Sequence, residues 1–130
     1  MGKARGGRNP PLFQVPDYWG NLVTLHEATW NIHILDPADG HPQMVGCEKL
    51  VQQLLLDPLE IRLGAVPESA VFVSDPGVGP SPEGMRAVVL YNNVAFEMGA
   101  FSGIVTTAYP IDLVRYPTPR IGRILAKRSR

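Results

Sequence analysis

The sequence predicts an α+β fold in which one or two N-terminal helices pack on a small antiparallel β-sheet as a single domain. Three observations carry that expectation. The chain has 130 residues, enough for one domain with its own hydrophobic core. Over residues 45–56 the apolar side chains Val45, Leu50, Val51, Leu54 and Leu55 recur at helical spacing, the pattern of an amphipathic helix. Beyond Pro58 that spacing gives way to short β-prone runs divided by turn residues. Glycine and proline, 13 of each, exceed ordinary usage and favour short elements joined by many turns.

Residues 1–16 contain Gly2, Gly6, Gly7, Pro10, Pro11 and Pro16 with few large apolar residues, and read as a flexible basic arm. The folded domain is expected over residues 17–125, with a basic tail at 126–130. Residues 22–25 form a β-prone run. Thr29 then offers an N-cap oxygen to a helix that holds Trp30, His33 and Ile34 and that Pro37 stops. Residues 36–40 are turn chemistry, and Pro58 ends the following amphipathic helix. Strands are expected at residues 59–63, 70–73, 85–91, 95–98 and 103–109. Their short connections favour antiparallel pairing, since a parallel pair needs a crossover of about a dozen residues or more. The last twenty residues, with Pro117 and Pro119, predict a short edge strand or half-turn of helix before the tail.

The formal net charge of zero hides a segregation. Lys3, Arg5 and Arg8 stand in the first eight residues, and Arg115, Arg120, Arg123, Lys127, Arg128 and Arg130 in the last sixteen, with no acid in either segment. Residues 9–114 hold all twelve acids against Lys49, Arg62 and Arg86, a balance of −9. Basic termini attract phosphate and an acidic body repels it, so nucleic-acid binding is permitted without being announced. One cysteine, Cys47, excludes an internal disulfide and suits a reducing compartment. No window approaches 18 consecutive apolar residues, no signal-peptide core follows the basic N-terminus, and Gly6 stands where a myristoylation motif has a hydroxyl residue. A cytoplasmic protein without a membrane partner is the expectation.

The chemistry centres on residues 29–44, TWNIHILDPADGHPQM. His33, His41 and Cys47 lie within fifteen residues, but their spacing matches no zinc pattern, so no metal or cofactor is expected. The glycine-rich run at residues 77–84 lacks a lysine and carries two prolines, so it is a surface loop and not a phosphate cradle. General acid and base work suits the histidines better, because a side chain titrating near neutrality can take a proton from a hydroxyl and return one to a leaving group. Packed histidines without a catalytic role are the plain alternative, and His41 is equally placed to cap the next helix.

Trp30, His33-Ile34 and His41-Pro42-Gln43-Met44, followed by an amphipathic helix ending in Leu56-Asp57-Pro58 and then by Glu60-Ile61-Arg62, resemble a known arrangement. Nuclease-like domains of phage and mobile-element proteins carry a W..HI, HPEM, P..I order ahead of strands that end in a TAY-like motif, here Thr107-Ala108-Tyr109. The group is similar to the barnase, EndoU, colicin and RelE superfamily of metal-independent ribonucleases, the BECR fold. The resemblance spans residues 22–110, with Gln43 in place of the usual glutamate. It implies helices ahead of an antiparallel sheet and RNA cleavage by attack of the ribose 2′-hydroxyl on the adjacent phosphate. His33 or His41 would act as base or acid, Thr107 and Tyr109 would line the phosphate site, and Arg62 or Arg86 would stabilise developing charge. RNA would be the substrate; separately, the six basic residues among the last sixteen would be an electrostatic handle for an antitoxin or immunity protein. A catalytically inactive binding or accessory module on the same fold is the alternative.

Overall fold

The computed structural model describes residues 9–114 and 122–128. They form a small α+β domain around one seven-stranded mixed sheet. The strands are β1 (Pro11–Pro16), β2 (Leu22–His26), β3 (Glu60–Leu63), β4 (Ser69–Val73), β5 (Met85–Tyr91), β6 (Ser102–Pro110) and β7 (Ile124–Lys127). Their spatial order is β1-β2-β6-β5-β4-β3-β7. Between β2 and β3 run a π-helical segment (Thr29–Ile34), a 3-10 turn (Pro42–Met44) and the helix α1 (Glu48–Leu56), and a second 3-10 turn (Phe96–Met98) precedes β6.

Several expectations change. Residues 11–16 are not an arm but the edge strand β1, because alternation of Phe13 and Val15 with Leu12 and Gln14 gives the run one apolar face that pairs with β2. Residues 1–8 of the expected arm and residues 129–130 of the expected tail lie outside the described residues, while Ala126 and Lys127 belong to β7. The sheet is mixed where an antiparallel one was expected. All neighbours pair antiparallel except β2 and β6, which run parallel; the helical layer between β2 and β3 supplies the long connection that parallel pairing needs. Two strands thus precede every helix. The strand expected at residues 95–98 is instead a 3-10 turn closed by Gly99 at φ 77°, and Thr29 lies inside the π segment, whose N-cap position is Ala28 without a side-chain cap. The amphipathic helix starts three residues late, because Pro42, Gln43 and Met44 take the 3-10 turn first.

The core lies between one face of the sheet and the helical layer. Val23 and Leu25 of β2, Ile61 of β3, Ala70 and Phe72 of β4, and Met85, Ala87 and Val89 of β5 meet Trp30, Ile34, Met44, Val51, Leu54 and Leu55. Val51, Leu54 and Leu55 fall on one stripe of α1, which is why this nine-residue helix holds its place: its amphipathic face is buried, whereas isolated helices this short are marginal. The opposite face of the sheet carries a second, smaller apolar group, Val71, Val73, Val88 and Ile111. No helix among the described residues is long and apolar enough to cross a membrane.

Candidate functional site

The site is built by two irregularities in β6. The first is at its edge. β2 pairs with β6 only at Leu22–Ser102, Val23–Gly103 and Thr24–Ile104, so beyond Ile104 that side of β6 has no strand partner among the described residues. The π-helical segment packs against β6 and against β2. Its wide turn is defined by the Leu35 N–H donating to the Trp30 carbonyl at 2.9 Å, an i to i+5 bond of the kind that is rare and concentrates at functional sites.

The second irregularity is a bulge. Val89 opposes Val105 while Val88 opposes Thr107, so Thr106 is the extra residue, and its hydroxyl donates to the Val88 carbonyl at 3.3 Å. A bulge shifts the inward and outward alternation by one residue. Before it Gly103 and Val105 face the core; after it Ala108 does. Without the extra residue Thr107 and Tyr109 would continue the buried phase. With it they turn to the other face, where Tyr109 becomes the cross-strand partner of Arg86 and Thr107 that of Val88.

The loop between the histidines folds His41 back onto the end of the π segment. The Gly40 N–H donates to the Asp36 carbonyl at 2.9 Å, and the His41 N–H donates to the Ile34 carbonyl at 2.5 Å, so the chain doubles back onto the end of the π segment. Asp36 stabilises the turn by accepting from the Asp39 N–H at 2.7 Å. A side chain at residue 40 would sit inside contact distance of the His33 carbonyl and 2.6 Å from that of Ile34; only glycine fits. The His41 ring then lies 5.5 Å from the Tyr109 ring, inclined by 40°. Burial holds the His41 pKa below its ordinary 6.5, because charge is disfavoured where water is excluded, so the imidazole is neutral at pH 7 and available as a proton acceptor. His33, one residue before the Ile34 carbonyl that anchors His41, is exposed.

Arg86 is buried to 9% exposure, its Nε has no hydrogen-bond acceptor, and no ion pair to it occurs among the described residues. Cross-strand partners stand about 5 Å apart at Cβ, which sets Arg86 beside Tyr109. Arg62 is placed differently. It lies in the same cross-strand row as Thr107, through Val71 and Val88, but three strand spacings away, roughly 14 Å. Its Nε donates to Glu60 Oε2 at 2.6 Å and its Nη1 to the Gly122 carbonyl at 3.2 Å, so its charge is already used. Of the six residues named from sequence, the structure sets His41 against Tyr109 and Tyr109 across from Arg86, with Thr107 two residues before Tyr109 on the same strand; His33 is exposed on the π segment, and Arg62 stands three strands away.

Cys47 does not join them. It is buried, and burial together with the Glu48 carboxylate raises its pKa, the condition of an inert thiol. No group of three or more His, Cys, Asp or Glu side chains that would hold a metal ion occurs among the described residues. Sequence reading missed two positioning residues. Gly40 passed as ordinary turn chemistry, and Thr106 as one more strand residue, although two adjacent polar residues inside an alternating strand signal a phase change. No protein-family model, curated protein or solved structure matches the chain.

Proposed function

We propose that the domain is a metal-independent ribonuclease of the toxin or phage-associated kind that acts on RNA in the cytoplasm. The supporting observation is the His41–Tyr109 ring pair beside the unpaired Arg86. Neutral His41 takes the proton of a ribose 2′-hydroxyl. The 2′-oxygen attacks phosphorus, the bond from phosphorus to the 5′-oxygen breaks, and a proton passes to the departing 5′-oxygen, leaving a 2′,3′-cyclic phosphate and a 5′-hydroxyl. His33, exposed on the π segment, supplies that proton. Thr107 and Tyr109 line the phosphate, and the Arg86 guanidinium offsets the charge that develops on its oxygens.

The test is incubation of the protein with transfer RNA and total RNA in EDTA. Cleavage leaving cyclic phosphate ends is expected, with a loss of about 10²- to 10⁴-fold for His41→Ala, the usual weight of a proton-transfer group. Intact RNA, or cleavage that depends on a divalent metal, overturns the proposal.

A second reading is favoured by the −9 balance of residues 9–114, which opposes RNA approach: a catalytically inactive binding or accessory module on this fold, or a toxin held by an antitoxin or immunity protein at the basic C-terminal end. Copurification with a protein partner, with no RNA cleavage by the purified chain, would select it.

A further inference from the structure

A guanidinium without a counter-charge is costly to bury, and natural proteins pair such groups or keep them for a ligand. Arg86 is in that position: its neighbours on the same face of the sheet are Val73 and Tyr109 across the strands, Val88 lies along its own strand, and its Nε has no acceptor. The number of free charges around Arg86 is as informative as their sign. Arg62 is spent on Glu60. Arg128 is spent on Asp57 and Asp75. Arg123 and Lys127 stand at β7, four strands from β6, or roughly 19 Å at ordinary strand spacing. Lys49 is exposed on α1, which packs against β1, β4 and β5. The surrounding body is acidic.

Resting on the ribonuclease reading, we infer that the folded domain grips a single phosphodiester monoanion through Arg86, with Thr107 and Tyr109 beside it, so that a dinucleotide fills the charged part of the site. One guanidinium presents one unit of charge in a two-pronged fork that matches two phosphate oxygens. Among the described residues a second phosphate meets no free cation beside Arg86, and the balance of residues 9–114 is acidic. The ligand class is thus one internal phosphodiester of a single strand, not a pyrophosphate, a terminal phosphomonoester or a long tract of backbone.

The experiment uses the full chain and a dinucleotide that cannot be cleaved, 2′-deoxy d(TpA), with affinity followed by NMR shifts across a series of salt concentrations. For one neutralised phosphate on a single strand, the slope of log affinity against log salt is expected near about −0.7. Adding a terminal phosphate to the dinucleotide is expected to change affinity less than about twofold, since no further phosphate is neutralised. Arg86→Met is expected to weaken binding at least about tenfold, the loss of one charge-assisted contact, while raising Tm, because it removes an unpaired buried charge. Arg86→Lys keeps the charge without the fork and is expected to fall between. A slope steeper than about −1.5, equivalent to two or more phosphates, tightening by the terminal phosphate, unchanged binding in a folded Arg86→Met, or no binding of d(TpA) overturns the inference. RNA cleavage with a steep slope removes this inference alone; d(TpA) binding through Arg86 without RNA cleavage removes the ribonuclease reading alone.

Discussion

Asp17 is buried to 3% exposure, yet both carboxylate oxygens are filled. Oδ1 accepts the N–H groups of Trp19, Gly20 and Asn21, each at 2.9 Å, and Oδ2 accepts Asn21 Nδ2 at 3.0 Å and the Tyr91 hydroxyl at 2.5 Å. Burial and the neighbouring carboxylate push the Tyr91 phenol far above its ordinary pKa of 10.0, so it stays a donor throughout the working pH range. Asn21 carries the link onward, donating to the Phe96 carbonyl at 2.8 Å and accepting from the Phe101 N–H at 2.9 Å. This network ties the β1–β2 turn to the approach of β6. Tyr91→Phe leaves a buried carboxylate short of one donor and should cost about 1 to 3 kcal/mol; urea unfolding should show a lower midpoint with an unchanged slope. His41 makes a second residue-scale prediction. Its folded pKa lies below 6.5, so the stability it carries is complete above 6.5 and is lost as pH falls through that value toward the folded one. The acidic limb of kcat/KM on RNA should therefore have its midpoint below 6.5. Tyr109→Ala, which lets water reach the ring, should move that midpoint upward; an unmoved limb would mean that another group sets it.

Elements decide where those residues stand, and two short ones matter most here. The turn at residues 36–40 places His41 by backbone bonds and by the Asp36 carboxylate that accepts the Asp39 N–H, and Gly40 is the position where the chain crosses the His33 and Ile34 carbonyls. A methyl group cannot enter that contact without displacing the backbone, so Gly40→Ala should lower RNA cleavage far more than it lowers Tm, because the rest of the core is untouched. Cleavage at the wild-type rate would show that the histidine register is not what the site depends on. The same comparison shows what the chain sequence makes legible. β3, β4, β5 and α1 are visible in it because their apolar periodicity is set by burial on one face, and burial is what periodicity records. The strand β1 is not, because it depends on a partner distant in sequence, and at Thr106 the adjacent polar residues signal a phase change without saying which strand it is measured against. Thr106 is extra only relative to β5. β1 becomes a strand only where β2 offers an edge. Gly99 makes the same point: it sits 2.9 Å, by its missing Cβ, from the Trp19 carbonyl carbon, a contact between segments eighty residues apart.

At the scale of the whole molecule the sheet is closed by its last strand. β7 pairs antiparallel with β3, and Leu125 and Ala126 pack against the main core, so the C-terminal region covers an edge that β3 would otherwise expose. Arg128 sits just past that strand. Its N–H donates to the Leu59 carbonyl at 2.8 Å, its guanidinium bonds Asp75, and Nη1 lies 3.1 Å from Asp57. The Asp75 and Asp57 carboxylates raise the Arg128 pKa, and together they join the end of α1 and the loop after β4 to the final strand. Asp57 is exposed and Arg128 and Asp75 are partly so, however, and ion pairs open to solvent are screened by water and salt. Backbone pairing and the burial of Leu125 and Ala126 should therefore hold β7 in place, with the ion pairs adding little. Arg128→Ala should lower Tm slightly at low ionic strength and not at all in molar salt, whereas a charged residue at Ala126, on the face packed against the core, should lower Tm sharply at every salt concentration. Equal losses for the two variants, or a loss for Arg128→Ala that persists in molar salt, would show that the C-terminal strand is held by charge and not by burial.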